Sequence, residues 1–368
     1  MDAPRLTFMD WDTAAQQLNG VWSDLVASGG FNPSLHPDWL GITLSVWNLR
    51  TSSSVALIEE GERCLAIIPF MVRRRTVAGV PLRCLELCSN VLAYHPEIVA
   101  AGDVERALRA LLADRRLPKW DVLRLANLPE TGPTACAARA LAAEGSGGLS
   151  RREAERSPYL TITSDWQSYL KTRPKKLRSN ITRCERMMRD AGESGMTWYE
   201  SGSDVTALLQ EMLVVEAASW KAGAGIDIRG DAPEAAYYTR LLPWLAQHGL
   251  MANMLYVHGK PAAYALCANW RGWVGQLKTS FTEQLRDAGS RVINASLERA
   301  FVAGAREYDF LGDAAFHKLR WTESIRPHED LWVFAPSLRG RTLAALKRVT
   351  DRIHASRERP SHDKVTES

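Results

Sequence analysis

The chain has 368 residues, 46 Lys+Arg against 42 Asp+Glu, and 46% apolar residues. That size suits two ordinary domains, each able to bury its own core, and 24% charged residues argue against a disordered body. A net charge of +4 is too mild to demand nucleic acid, so DNA is not an expected partner.

The longest apolar stretch, Cys64 to Val72, contains Pro69 and falls far short of the roughly 20 residues a spanning helix needs. No basic-then-apolar leader follows Met1, so a soluble, cytoplasmic protein without a transmembrane segment is expected. The six cysteines form no CxxC pair, which predicts reduced thiols and no metal site.

In chain order, Ser54–Glu60 and Arg63–Phe70 read as a hairpin turning at Glu60-Gly61, followed by a strand over 80–87. Apolar residues at 104, 107, 108, 111 and 112 predict a helix capped by Asp103, and 120–125 predicts a strand. Gly145 to Gly148 and the charged run Arg151 to Arg156 suggest a boundary, or a loop beside a strand through 159–162. The expected division is residues 1–150, 151–336, and a basic helix and polar tail over 337–368.

The second part predicts helices over 165–171, 174–189, 205–221 and 233–248, then strands over 252–257, 262–268 and 274–281. A helix from about 290 to 304 leads to strands at 307–311 and 331–334. Hairpins, then a helix, then a strand make an α+β pattern around a mixed sheet.

Chemistry concentrates after 274. Gly289 stands before a helix whose first-turn N–H groups suit phosphate, with Arg286 and Arg291 as further donors. No Gly-x-Ser-x-Gly elbow is present, and Cys267 has no evident His partner. Asp309 in an apolar strand must be paired or functional: an ion pair, an anchor for the Gly312 loop, an orienter of an amine or a partner of Lys318. His36, His95, His258 and His328 show no partner in the sequence. Lys171 to Arg189 carries eight positive side chains against Glu185, either a solvated face or a dock for an anionic donor.

Arg286-Asp287-Ala288-Gly289-Ser290 resembles the phosphate loop of the GNAT acyltransferase superfamily, with Arg291 where that loop has a small residue. Ser219-Trp220-Lys221, Leu277-Lys278-Thr279-Ser280-Phe281 and Asp309 to Asp313 with Lys318 and Trp321 are similar to its FemAB-related, CelD-like group, with His317 where that group usually has Tyr. The resemblance covers about residues 165–325 and implies two GNAT-like domains, each a mostly antiparallel mixed sheet flanked by helices, around a shared cleft. It implies an N-acyltransferase that moves an acyl group from acyl-CoA to an amine of a sugar, amino acid or natural-product intermediate. An acyl carrier protein or charged tRNA as donor, or a scaffold in exopolysaccharide assembly, stay open beside it. Under this resemblance Lys318 polarises the acyl carbonyl, Asp309 orients the acceptor and His317 is a candidate base. Arg286, Gly289, Ser290 and Arg291 bind the donor's phosphates, while Trp220, Lys221, Lys278 and Trp321 line the cleft. No resident cofactor is implied.

Overall fold

The structure is a computed structural model that describes residues 4–88, 94–145, 147–190, 194–283 and 285–357; the side chains of 188–190, 286 and 352–357 are outside the description. The expected polar tail after 357 lies outside the described residues. The first half lays down β1 (Arg5–Asp10), β2 (Ser53–Glu60), β3 (Arg63–Val77), β4 (Val80–Leu87), β5 (Val99–Ala100) and β6 (Val122–Pro129). Its helices are α1 (Trp11–Gln17), α2 (Asn19–Ser28), α3 (Pro37–Val46), α4 (Val104–Ala113) and α5 (Pro133–Ala143).

The second half contains β7 (Gly148–Thr161), β8 (Ser194–Glu200), β9 (Leu250–Val257), β10 (Lys260–Trp270), β11 (Trp273–Phe281), β12 (Glu307–Asp309) and β13 (Ile325–Phe334). Its helices are α6 (Trp166–Thr172), α7 (Lys175–Asp190), α8 (Val205–Ala217), α9 (Trp220–Gly223), α10 (Ala232–His248), α11 (Arg286–Val302), α12 (Phe316–Leu319) and α13 (Leu338–Arg357).

The strands join one mostly antiparallel sheet in the order β1-β2-β3-β4-β6-β13-β7-β12-β11-β10-β9-β8, with β5 on β3. This is the α+β arrangement expected from the sequence. Each half runs through four antiparallel strands and then, after a helix, adds one parallel strand: β6 beside β4, and β12 beside β11. The last strands are exchanged. β7 pairs with β12, β13 pairs with β6, and the two pair with each other. The expected division at 150/151 therefore falls inside β7.

The charged run that suggested a boundary is strand because its neighbours neutralise it: Arg151 meets Glu130 and Glu329, and Arg152 meets Asp330 at 3.4 Å. Asp103 caps α4 through the Arg106 amide, as its position predicted. The helix expected over 205–221 breaks at Ser219, whose hydroxyl accepts from the Lys221 amide and starts α9. β8 carries little apolar alternation and was not expected from the sequence.

Helices cover both faces. In the first half α4 and α5 close over one face of the sheet, and α1–α3 cover the other with Trp11, Trp22 and Leu40. In the second half α8 and α10 cover one face, and α6 and α11 the other. Trp39 of α3 is fully buried in the second half's core, where its indole N–H donates to the Tyr237 hydroxyl at 2.8 Å. The halves thus share a core, with cavities along their seam.

Candidate active site

β11 and β12 are in register for three pairs only, ending at Gly275 with Asp309. Beyond them β11 continues to Phe281, while the chain after Asp309 turns toward β7, the Phe310 amide donating to Pro158 O at 3.0 Å. Parallel strands that part leave a wedge with unpaired backbone on its walls. Gly275 is required at the crotch, since a Cβ there would fall 2.0 Å from the Trp273 ring.

Asp309 is fully buried at this crotch. One carboxylate oxygen accepts from the Ser157 hydroxyl (3.1 Å) and the Leu311 amide (2.9 Å). The other meets His95 Nε2 at 2.7 Å and the Arg326 guanidinium. Burial pushes the carboxyl up, but His95, Arg326 and the Leu311 amide outweigh it and hold the group at about 2. Arg326 also grips both oxygens of Glu307 at 3.0 Å and lies over the Tyr159 ring.

The hydrogen bonds assign the protons. Burial, with His95 beside it, lowers His328 to about 4, so His328 is neutral at pH 7. Its Nδ1 faces Arg326 O at 3.1 Å and must donate, which leaves Nε2 to accept from His95 Nδ1 at 2.7 Å. His95 Nε2 lies 2.7 Å from the Asp309 carboxylate and 3.3 Å from the Arg326 guanidinium, on a left-handed backbone (φ 44°).

Sequence reading missed this cluster. His95 lies 214 residues before Asp309, and no periodicity connects them. The one local signal on offer is the polar run Tyr94-His95-Pro96-Glu97. The partners of His95 and His328, which the sequence does not name, come from the exchange of β7 and β13, which brings Ser157, Arg326 and His328 onto one surface.

The expected phosphate residues lie at the start of α11. Leu285 gives this helix no side-chain cap, which leaves first-turn N–H groups without a side-chain acceptor. Gly289 is buried against Phe281, where a Cβ would fall 2.5 Å from the ring; close packing, rather than ligand approach, requires it. Ser290 and Arg291 line a crevice with His317, Arg320, Trp321 and Asn294. Its free volume is about 20 Å³, room for one water, because α7 fills the other side. Arg183 of α7 grips both carboxylate oxygens of Asp287 at 2.7 and 2.9 Å. The side chain of Arg286 lies outside the described residues.

Lys318 does not bond Asp309. Its ammonium donates to the carbonyls of Leu311 and Asp313 and staples the turn at Leu311-Gly312, where both residues have positive φ. Burial lowers its basicity, opposed by Glu155, Asp309 and Asp313. His317 is exposed at the crevice rim, and Trp321 is buried beneath it against Trp166. Trp220 is exposed. Lys221 and Lys278 are brought together on the fully buried Glu216: Lys221 at 2.9 Å, Lys278 at 3.9 Å with Glu234 at 2.7 Å. Cys267 is buried 3.7 Å from the Tyr308 hydroxyl, and burial pushes its thiol up to about 12, which removes it as a nucleophile.

Two cavities flank residues 95–97. One, of about 780 Å³, is bordered by His95, Glu97, Arg326, Trp270 and Arg306. The other, of about 680 Å³, is bordered by Pro96, Asn127, Glu86, Glu155, Asp313 and the arginines of β3, β6 and β7.

Residues 175–319 match the family model described as acetyltransferase (GNAT) domain. That stretch carries a GNAT acetyltransferase domain, which supports an acyltransferase activity for this chain. No curated protein matches its sequence. A conserved protein of unknown function from Bacteroides thetaiotaomicron shares the fold at TM-score 0.58 and 15% identity, over 90% of this chain and 100% of its own. FemX matches at TM-score 0.58 and 12% identity, over 86% and 96%. L-PGS from Bacillus licheniformis matches at 0.52 and 10%, over 89% and 96%. Among the described residues, no helix is long and apolar enough to cross a membrane.

Proposed function

We propose that the protein is a cytoplasmic N-acyltransferase that moves an acyl group from acyl-CoA to an amine of a sugar, amino acid or natural-product intermediate. The observation that carries the reading is the parting of β11 and β12 at Gly275 and Asp309, beside the uncapped start of α11, inside the stretch matched to the GNAT family. On the motifs shared with the FemAB-related, CelD-like group, exopolysaccharide or natural-product assembly is the setting. The two halves act as paired GNAT-like domains, the second holding the donor.

The donor's phosphates bind the first turn of α11, with Arg286, Ser290 and Arg291 as donors and Gly289 keeping the turn close to β11. The thioester lies in the wedge. There the amine nitrogen forms the C–N bond, the C–S bond breaks, and one proton passes from nitrogen to the thiolate. Lys318 polarises the carbonyl from its turn, and Trp321 backs the wall beside it. Asp309 and His328 hold the His95 ring in place, and His95, which borders the larger cavity, exchanges the proton. Trp220, Lys221 and Lys278 border the donor's acyl end. His317, at the rim, is a further base candidate and has no orienting partner among the described residues.

The reading is tested by free-thiol release from acetyl-CoA with a panel of amines. Release depends on the amine, and His95→Gln lowers it by about 100-fold or more. Release that ignores the amine, or that survives His95→Gln, contradicts it.

One observation favours a macromolecular donor as the second reading. α7 covers the start of α11 and presents Lys175, Lys176, Arg178, Arg183 and Arg186 to solvent. An acidic acyl carrier protein or a charged tRNA would dock there, and charge reversal on α7 would then abolish turnover.

A further inference from the structure

The first half repeats the wedge of the second. β4 and β6 are parallel for three pairs, ending at Glu86 with Arg124, and the second cavity opens at that parting. At the equivalent place in the second half stand Gly275 and Asp309. The difference is chemical. Glu86 and Arg124 form an ion pair across the strands at 3.4 Å and close the crotch to a chain threading between them.

Around that pair the charges do not balance. Glu86 is 8% exposed and is shared by three guanidinium groups: Arg75 at 3.0 Å, Arg124 at 3.4 Å and Arg73 at 4.0 Å. Among the described residues it is the acid in salt-bridge range of all three. Three cations on one buried carboxylate leave two positive charges in excess at this end of the cavity, partly shielded from water and aimed along one wall. Glu155 and Asp313 border the same cavity, where the Asp313 carbonyl holds Lys318 at 3.0 Å, and so do Arg152 and Asp330, which pair with each other at 3.4 Å. A ligand in this cavity of about 680 Å³ meets the guanidinium groups around Glu86 and the carboxylates of Glu155 and Asp313.

We propose that this cavity is the acceptor site, and that the acceptor is a zwitterion: a primary amine carrying a phosphate or carboxylate. The anionic end rests on Arg73, Arg75 and Arg124. The ammonium end is drawn to Glu155 and Asp313, beside the residues assigned to acyl transfer. The identity of the amine end rests on the acyl-transfer reading; the anion site does not.

Calorimetric titration of the full chain tests this with O-phosphoethanolamine, β-alanine, ethylamine and inorganic phosphate, and separately with acetyl-CoA. Binding of O-phosphoethanolamine or β-alanine, with ethylamine at least tenfold weaker, is the expected result, and the tighter of the two identifies the anion. Arg73→Met weakens that binding at least tenfold and Arg73→Lys restores most of it; Glu86 keeps Arg75 and Arg124 in both, so the melting temperature checks that the fold is retained. Zwitterions that do not bind, or that bind Arg73→Met as well as the native chain, overturn the inference even where acetyl-CoA binds. Arg73-dependent zwitterion binding without acetyl-CoA binding upholds the anion site and removes the CoA reading instead.

Discussion

Asp309→Asn keeps the shape of the buried side chain and removes its charge. In the native chain the carboxyl is held at about 2 against an ordinary 3.8, a difference on the order of 2 kcal/mol. A carboxyl lowered by folding stabilises above its unfolded value and loses that contribution as pH falls toward its folded value. The full contribution is therefore present at pH 7, about half remains at pH 3, and little is left at pH 2. The substitution also leaves Arg326 and His95 without the carboxylate they share, and breaking a buried pair from one side costs about 3–5 kcal/mol. Urea unfolding of both chains at pH 7, 5, 4 and 3 measures the gap. The gap should be at least 2 kcal/mol at neutral pH and shrink by about 1 kcal/mol at pH 3. A gap that is absent, or that stays constant across this range, would refute the ion-pair assignment at Asp309.

Three other outcomes follow from the geometry. His328 is held neutral down to about 4 against an ordinary 6.5, so the native chain loses stability as pH falls from 6.5 to 4, by on the order of 3 kcal/mol; His328→Asn should lack that slope in the same unfolding series. Gly289→Ala puts a methyl 2.5 Å from the Phe281 ring and should lower the unfolding free energy by about 1–3 kcal/mol despite the better helix former; an unchanged melting temperature would show that the contact is loose. Asp287→Asn frees α11 from Arg183 and removes a negative charge from the helix start, so calorimetry should find tighter acetyl-CoA binding at a stability cost below about 1 kcal/mol.

The sequence carried the hairpins, the capped α4 and the order of β9 to β12, because each rests on local periodicity and turn chemistry. It also drew Ser290, Arg291, His317 and Trp321 into one site, and the structure gathers those four around one crevice. Lys221 and Lys278 likewise meet, though on a buried carboxylate, Glu216, that no local pattern had marked. What escaped was non-local. The exchange of β7 and β13 has no sequence signature, and the charged run Arg151 to Arg156 reads as a loop until Glu329 and Asp330 are placed beside it. The cluster at Asp309 depends on that exchange. His95, Ser157, Arg326 and His328 come from three separate segments, and only the fold makes neighbours of them.

In the proposed function, acyl-CoA binds at the start of α11. Titration of acetyl-CoA into the native chain and into Ser290→Asp tests it, since a carboxylate added just past the first turn of α11 repels a phosphate bound at the helix start. The account predicts micromolar binding that falls at least tenfold in the variant. No binding to the native chain, or equal binding to both, would contradict it.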